Sequence, residues 1–330
     1  HLKRPLYGLR QAGNRWEAKR DELLNKLKFK KSILEPSLYY RNQKDILMQE
    51  GELIIIIVYV DDFLIIGHKN DCRATIEDIA KIVKFTHEGS VHWFHGMKIF
   101  RDKHRGIVEL SQMSTIEDII YSHDMVEAKG VKIPFDALTR AKLSEPVPDG
   151  EVRTDLKYRN LIGSLMYVAR MTRPDILWHT QFLSRFCQRF SILHWKAATN
   201  IVRYLISTKG LCIRYSKVQD VRQPLSLIQG YCDTSHGDDL SDGLSTYGYA
   251  FIAGGGYISA RVAKHESVCL STTEAEYCAM TPAAQHACWI RNVFLEVNMI
   301  EAGDMAGVSV FTDGRSAFHA ATKASTSFTR

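Results

Sequence analysis

Between Leu53 and Ile66 the chain runs through isoleucine, leucine, valine and phenylalanine, and what breaks the run is a pair of adjacent carboxylates, Asp61 and Asp62. Side chains alternate faces along a strand, so two neighbouring acids inside such a run are costly to desolvate unless a turn or a divalent cation compensates. The segment therefore reads as a hairpin, Leu53 to Val58 and Phe63 to Ile66, with Tyr59-Val60-Asp61-Asp62 at its tip. A bare carboxylate pair also repels itself. Two-metal phosphoryl transfer uses carboxylates that hold cations about 3.5–4 Å apart, and a rigid hairpin tip can supply two of them. Polymerase chemistry is the first expectation.

The chain has 330 residues, 45% of them hydrophobic and 24% charged, which allows two or three globular domains. The longest apolar run, Leu53 to Val60, is too short to span a bilayer, and no charged-then-apolar signal pattern opens the chain. A soluble, non-secreted protein is expected. The seven cysteines (Cys72, Cys187, Cys212, Cys232, Cys269, Cys278 and Cys288) contain no C-x-x-C pair, which favours a reducing compartment and argues against zinc knuckles. Net charge is +6, yet the opening stretch is far more basic than that average, with Lys3, Arg4, Arg10, Arg15, Lys19, Arg20, Lys26, Lys28, Lys30 and Lys31. Phosphate backbones suit such a segment, and Tyr7, Trp16, Tyr39 and Tyr40 could stack on bases or sugars; a solvated basic helix face is the alternative.

Periodicity predicts a helix over Asn14–Phe29 with Trp16, Leu23, Leu24 and Leu27 on one stripe, and a second over Thr75–Phe85. Val91–Phe100 and Gly106–Leu110 alternate like paired strands, and Ser114 with Glu117 suggests a capping box for a short helix. Pro134, Pro146, Pro148, Asp149 and Gly150 mark a linker, after which Leu156–Thr208 reads as helix, broken at Arg173-Pro174 and stopped by Gly210 as a left-handed cap. From Leu225 strands are expected over 228–234, 246–253, 257–260 and 266–270, with Gly254-Gly255-Gly256 as a hairpin turn. A long helix (272–298), a strand (308–312) and a helix (315–322) complete an α/β order. His92 and His95 read as strand residues rather than metal ligands, and His194-Trp195 as helix packing.

A second set of acids falls in this last region. Asp233 and Asp313 sit at strand ends, where a sheet could bring them together. Glu276 lies early in the long helix, in line with Met280, Ala283, Ala287, Ile290 and Phe294, whereas Glu274 points away from that stripe. An acid at the open end of an apolar stripe is costly unless a metal beside it compensates, and three converging carboxylates suit two-metal phosphodiester hydrolysis. Taken singly, each acid could be a turn residue or a favourable helix N-terminal charge.

These residues resemble the Pol polyprotein of copia-type long-terminal-repeat retrotransposons along almost the whole chain. The resemblance rests on Leu6-Tyr7-Gly8-Leu9-Arg10-Gln11-Ala12, Tyr59-Val60-Asp61-Asp62, Leu110-Ser111-Gln112, the run Tyr158 to Tyr167, and Thr172-Arg173-Pro174-Asp175-Ile176. Tyr231-Cys232-Asp233, Ser271 to Tyr277 and Thr312-Asp313 resemble the family's ribonuclease H module. The resemblance implies an α+β and α/β multidomain chain: a partial polymerase palm and start of thumb (1–135), a linker (136–155), a helical thumb or connection (156–224), and a ribonuclease H-like mixed sheet with helices (225–330). It makes Asp61 and Asp62 the polymerase metal-binding pair, and Asp233, Glu276 and Asp313 ribonuclease H carboxylates. The implied cofactor is Mg2+, with Mn2+ as the alternative ion.

The implied partners are an RNA–DNA hybrid, a primer-template and the remaining Pol segments, with no membrane. The implied location is the cytoplasm within a virus-like particle, with the nucleus as the alternative. The implied activities are RNA-directed DNA polymerisation and ribonuclease H hydrolysis. His1 reads as the middle of a longer polypeptide, the family's third polymerase aspartate lies upstream of it, and the nuclease's last acid is expected beyond Arg330. Phe94-His95-Gly96 and Ile258-Ser259-Ala260 depart from the family pattern, which usually has Leu at the position of His95 and Trp after Ile-Ser. An inactive polymerase portion is expected, and a catalytically dead remnant that binds nucleic acid is the rival reading.

Overall fold

The computed structural model describes residues 10–42, 53–217, 224–239, 242–300 and 307–322. The expected motif at Leu6 to Leu9 lies outside them. The described residues form two compact units, one within 10–95 and 289–300 and the other within 96–288 and 307–322.

In the first unit, α1 (Arg10–Lys26) lies beside an antiparallel sheet of β1 (Lys30–Lys31), β2 (Leu38–Asn42), β3 (Leu53–Tyr59) and β4 (Asp62–Ile66), in that order. Alternation along β3 buries Ile54, Ile56 and Val58, which pack with Leu24, Phe29 and Tyr39. The helix ends in a Schellman motif: Lys28 takes φ 64° and the amides of Lys28 and Phe29 return to the carbonyls of Asn25 and Leu24. Leu24 and Phe29 share the core beneath that turn, so the cap also sets the entry into β1. Next come α2 (Lys69–Ile82), six residues earlier than its periodicity suggests, and β5 (Trp93–Phe94). Arg41 joins sheet to helices, donating to the Leu27 carbonyl at 2.8 Å and to Thr75 Oγ1 at 3.1 Å.

The second unit begins with β6 (Met97–Asp102) and β7 (Ile107–Ser111), an antiparallel pair that β8 (Ile213–Ser216) extends. Between β7 and β8 the chain forms α3 (Met113–Ser122), α4 (Ala137–Leu143), α5 (Tyr158–Met171), α6 (Leu177–Ser184) and α7 (Ile192–Thr208). Their apolar faces meet in one core containing Ile116, Leu143, Leu161, Leu165, Leu183 and Ile201. Within the stretch read as a linker, Asp136 caps α4 by accepting from the Thr139 amide, and Leu143 is buried.

Several local expectations need correction. No capping box forms at Ser114: α3 starts at Met113, and Glu117 instead faces Lys209 Nζ at 3.3 Å. The helical stretch is interrupted again between Ser184 and Ile192, where Ser191 and His194 form the capping box of α7. Gly210 is not a left-handed cap, because α7 ends at Thr208 with Lys209 still right-handed and Gly210 outside the positive-φ region.

The rest of this unit is a sheet ordered β11-β10-β9-β12, built from β9 (Ile228–Ser235), β10 (Thr246–Ala253), β11 (Gly256–Lys264) and β12 (Ser309–Phe311). The first three are antiparallel, and β12 joins β9 in parallel. Gly254 and Gly255, both at positive φ, make the tight turn expected of the triple glycine. No strand forms over 266–270; β11 continues to Lys264, and Val268 and Leu270 are exposed. After β11 comes α8 (Thr272–Glu296), which belongs to this unit as far as Cys288 and to the first from Trp289, and after β12 comes α9 (Arg315–Thr322).

Candidate functional site

The register of β12 on β9 decides where two of the acids go. Phe311 pairs with Tyr231, so Asp313 and Asp233 each stand two residues beyond that pair on adjacent parallel chains. Side chains two apart on a strand share a face, and Tyr231 and Phe311 are both half exposed and stack at 5.4 Å between ring centroids. Opposite Asp233 on β10 is Gly248, which presents no side chain.

The helix brings the third acid. Its buried stripe is Ala275, Ala279, Ala283, Ala287 and Ile290; the last three were expected from the spacing, whereas Glu276 and Met280 sit half buried on the flank. Alanines at these positions keep side-chain bulk out of the buried face of the helix. Glu274 is exposed, as expected, and accepts from the Leu270 amide at 2.6 Å. A Cβ on Gly314 would lie 3.1 Å from Glu276 Cγ, so the glycine lets the turn after Asp313 close onto the glutamate.

Asp233, Glu276 and Asp313 each offer a carboxylate oxygen within 4.8 Å of the others, the only such acidic, histidine or cysteine group among the described residues. Glu276 Oε2 is buried and has no hydrogen-bond partner. Burial, followed by repulsion from Asp233 and Asp313, raises the Glu276 pKa above its usual value. Three carboxylates facing one another with an unpaired buried oxygen fit a hard divalent cation, which takes oxygen ligands and would cancel the repulsion. Beside the acids opens a cleft of about 720 Å³ lined in part by Tyr231, Tyr249, Arg261, Thr312 and Trp178.

The hairpin acids lie elsewhere in the chain. Tyr59 pairs with Asp62 across the β3–β4 ladder, leaving Val60 and Asp61 as a two-residue turn, and both acids are exposed. No third acid joins them among the described residues. Of the basic residues beside the hairpin, Arg20 and Lys31 pair with Glu17 and Asp21, and Lys26 with Glu22, so they are partly neutralised. Arg15, Lys19 and Lys28 are exposed.

Other motif residues prove structural. Arg173 is 2% exposed; its guanidinium grips Asp175 in two-pronged fashion and donates to the Thr208 carbonyl at 3.0 Å and to Thr208 Oγ1 at 2.6 Å. Thr172 donates to the buried Gln112 at 2.9 Å, so the Leu-Ser-Gln and Thr-Arg-Pro-Asp segments meet in the helical core. His194 is buried with Nε2 3.0 Å from the Leu143 carbonyl, in keeping with helix packing. Sequence reasoning missed Gly314 and the Tyr231–Phe311 pair, although an aromatic two residues before each aspartate was a readable signal. All seven cysteines are free thiols, and among the described residues no helix is long and apolar enough to cross a membrane.

Comparison with known proteins agrees with the motifs. Residues 1–137 match the family model described as reverse transcriptase (RNA-dependent DNA polymerase). The chain is 31% identical over 90% of its length to the retrovirus-related Pol polyprotein from transposon TNT 1-94 of Nicotiana tabacum, covering 22% of that protein. It is also 31% identical to the Pol polyprotein from transposon RE1 of Arabidopsis thaliana, over 90% of this chain and 19% of the relative. A putative transposon Ty5-1 protein of Saccharomyces cerevisiae is 27% identical over 82% of this chain and 84% of its own length. The chain thus spans about a fifth of the two Pol polyproteins. No solved structure matches. The chain belongs to the Pol polyprotein family of copia-type retrotransposons, with a reverse transcriptase-like region at its start.

Proposed function

We propose that the C-terminal part of this chain is a ribonuclease H-like nuclease that cuts the RNA strand of an RNA–DNA hybrid, following a partial polymerase palm and a helical connection. The domain limits of this reading are 1–135, 136–155, 156–224 and 225–330. The observation that carries it is the convergence of Asp233, Glu276 and Asp313 within 4.8 Å. These three residues would hold Mg2+, or Mn2+ in its place. The bound cation supplies Lewis-acid stabilisation of the charge that develops on a phosphodiester during hydrolysis.

The chain's own groups do the rest. Asp233 and Asp313 present exposed carboxylates towards solvent and substrate, while half-buried Glu276 anchors the inner side of the set. The Tyr231–Phe311 pair offers a flat aromatic surface next to the acids, and Arg261 lines the same cleft with positive charge. Both features suit a sugar-phosphate strand. Asp61 and Asp62 are read as polymerase carboxylates, two of the oxygen donors that a two-metal centre would need.

The test is a labelled RNA–DNA hybrid with the full chain in Mg2+. Cleavage of the RNA strand is expected, with loss in Asp233→Asn; cleavage that persists unchanged in that variant would sink the nuclease reading. A hybrid that is bound but cut by neither protein would make the chain a binding remnant.

A further inference from the structure

The turn that carries Asp61 is held in a conformation its own residue resists. Val60 has φ 53°, in the left-handed region, where a β-branched side chain crowds the backbone and where glycine or asparagine is the usual occupant. Outliers of this kind persist only where surrounding structure over-determines them. Here a contact from far along the chain is visible: Trp16 Nε1 on α1 donates to the Val60 carbonyl at 2.9 Å. Trp16 is half buried and lies on the stripe of α1 that continues through the buried Leu23 and Leu24. A second contact holds the residue before the turn, since the His95 ring lies 3.8 Å from the Tyr59 ring, centroid to centroid, at 49°.

We propose that Trp16 is the positioning residue of the Asp61–Asp62 turn: its indole N–H fixes the Val60 carbonyl and so stabilises the left-handed backbone that sets where the two carboxylates stand. The significance of the device rests on reading Asp61 and Asp62 as polymerase acids, but its existence does not. The bond is solvent-exposed, so its effect is that of one ordinary net hydrogen bond. A tryptophan is suited to the task because it pairs a large apolar body, which packs, with a single directional donor at its edge. Phenylalanine would keep the body and lose the donor.

The experiment is hydrogen–deuterium exchange of backbone amides in the full chain, comparing wild type with Trp16→Phe, Val60→Gly and the double variant. Trp16→Phe is expected to speed exchange at Asp62, which pairs with Tyr59 across the turn, by about threefold to tenfold, with α1 and the middle of β3 unchanged. Val60→Gly removes the backbone strain, so the double variant should return to within about twofold of wild type. A role in packing alone predicts no such rescue, because glycine at position 60 cannot repair a core defect at position 16. Unchanged turn exchange in Trp16→Phe would overturn the proposal. So would faster exchange spread over the whole unit, or a double variant no slower than Trp16→Phe. The readout needs no catalysis, so failure of the nuclease or polymerase reading remains distinguishable from failure of this one.

Discussion

Replacing Glu276 by glutamine should make the metal-free protein more stable at neutral pH, the opposite of what most substitutions at a partly buried polar position do. The Glu276 carboxylate stands no more than 4.8 Å from an oxygen of each aspartate. At that distance one like-charge pair costs about 3.5 kcal/mol at an effective dielectric of about 20 and about 0.9 kcal/mol at about 80. Both aspartates are exposed, so solvent screening favours the lower end and leaves about 1–2 kcal/mol for the two contacts together. For a domain of this size that corresponds to a rise in Tm of about 2–8 °C in EDTA.

The pH dependence follows from the direction of the Glu276 shift. Its folded pKa lies above the unfolded value of 4.5, so between the two values the folded state binds more proton than the unfolded state. Wild-type stability from this group therefore rises as pH falls through the raised pKa, and is lost as pH climbs back through it. The advantage of Glu276→Gln should be largest at neutral pH and fade towards pH 4.5. Mg2+ reverses the comparison, because at about ten times its Kd a ligand of the folded state adds about 1.4 kcal/mol to wild type, while the variant, with one ligand charge removed, gains less. Thermal unfolding across pH with and without Mg2+ provides the test. A variant less stable than wild type in EDTA at every pH would refute the claim that these acids repel one another.

Two further outcomes probe the scaffold. Arg173→Lys should destabilise the helical core by about 2–3 kcal/mol, because a lysine cannot reproduce the fork to Asp175 and leaves a buried charge poorly paired; a urea midpoint within error of wild type would contradict that role. Gly163→Ala should stabilise the protein by about 0.5–1 kcal/mol, since Gly163 lies inside α5 with nothing within 4 Å of where a Cβ would stand. A fall in melting temperature would show that the added methyl meets something there.

Much of the fold around the candidate acids was legible in the sequence, for reasons particular residues make plain. The β3–β4 hairpin was readable because its apolar run is broken once, by two acids that a strand cannot hide. The strand 246–253 and the helix 315–322 appear with the bounds their patterning suggested. Local rules failed where another part of the chain intervened. Ser114 looked like a helix cap, yet the helix starts one residue earlier. Leu270 looked like a strand residue, yet it lies outside the ladder, and its amide is bound by Glu274 at the start of α8. The stretch around Pro146 looked aperiodic, yet the helix before it is anchored by Leu143 in a core assembled from four other helices.

Sequence by itself determined the chemical inventory: a hairpin with two acids at its tip, two strands each ending in an aspartate, a helix with a glutamate beside its apolar stripe, and the motifs that place the chain in its family. These are local properties, set by residue type and by periods of two and 3.6. Only tertiary structure decided that Asp233 and Asp313 come to the same end of one sheet, because the parallel register of β12 on β9 joins strands far apart in the chain. The same holds for the hydrogen bond from Trp16 to Val60, which spans 44 residues. Contacts of that kind depend on which surfaces bury against which, and no residue's own preference specifies its distant partner.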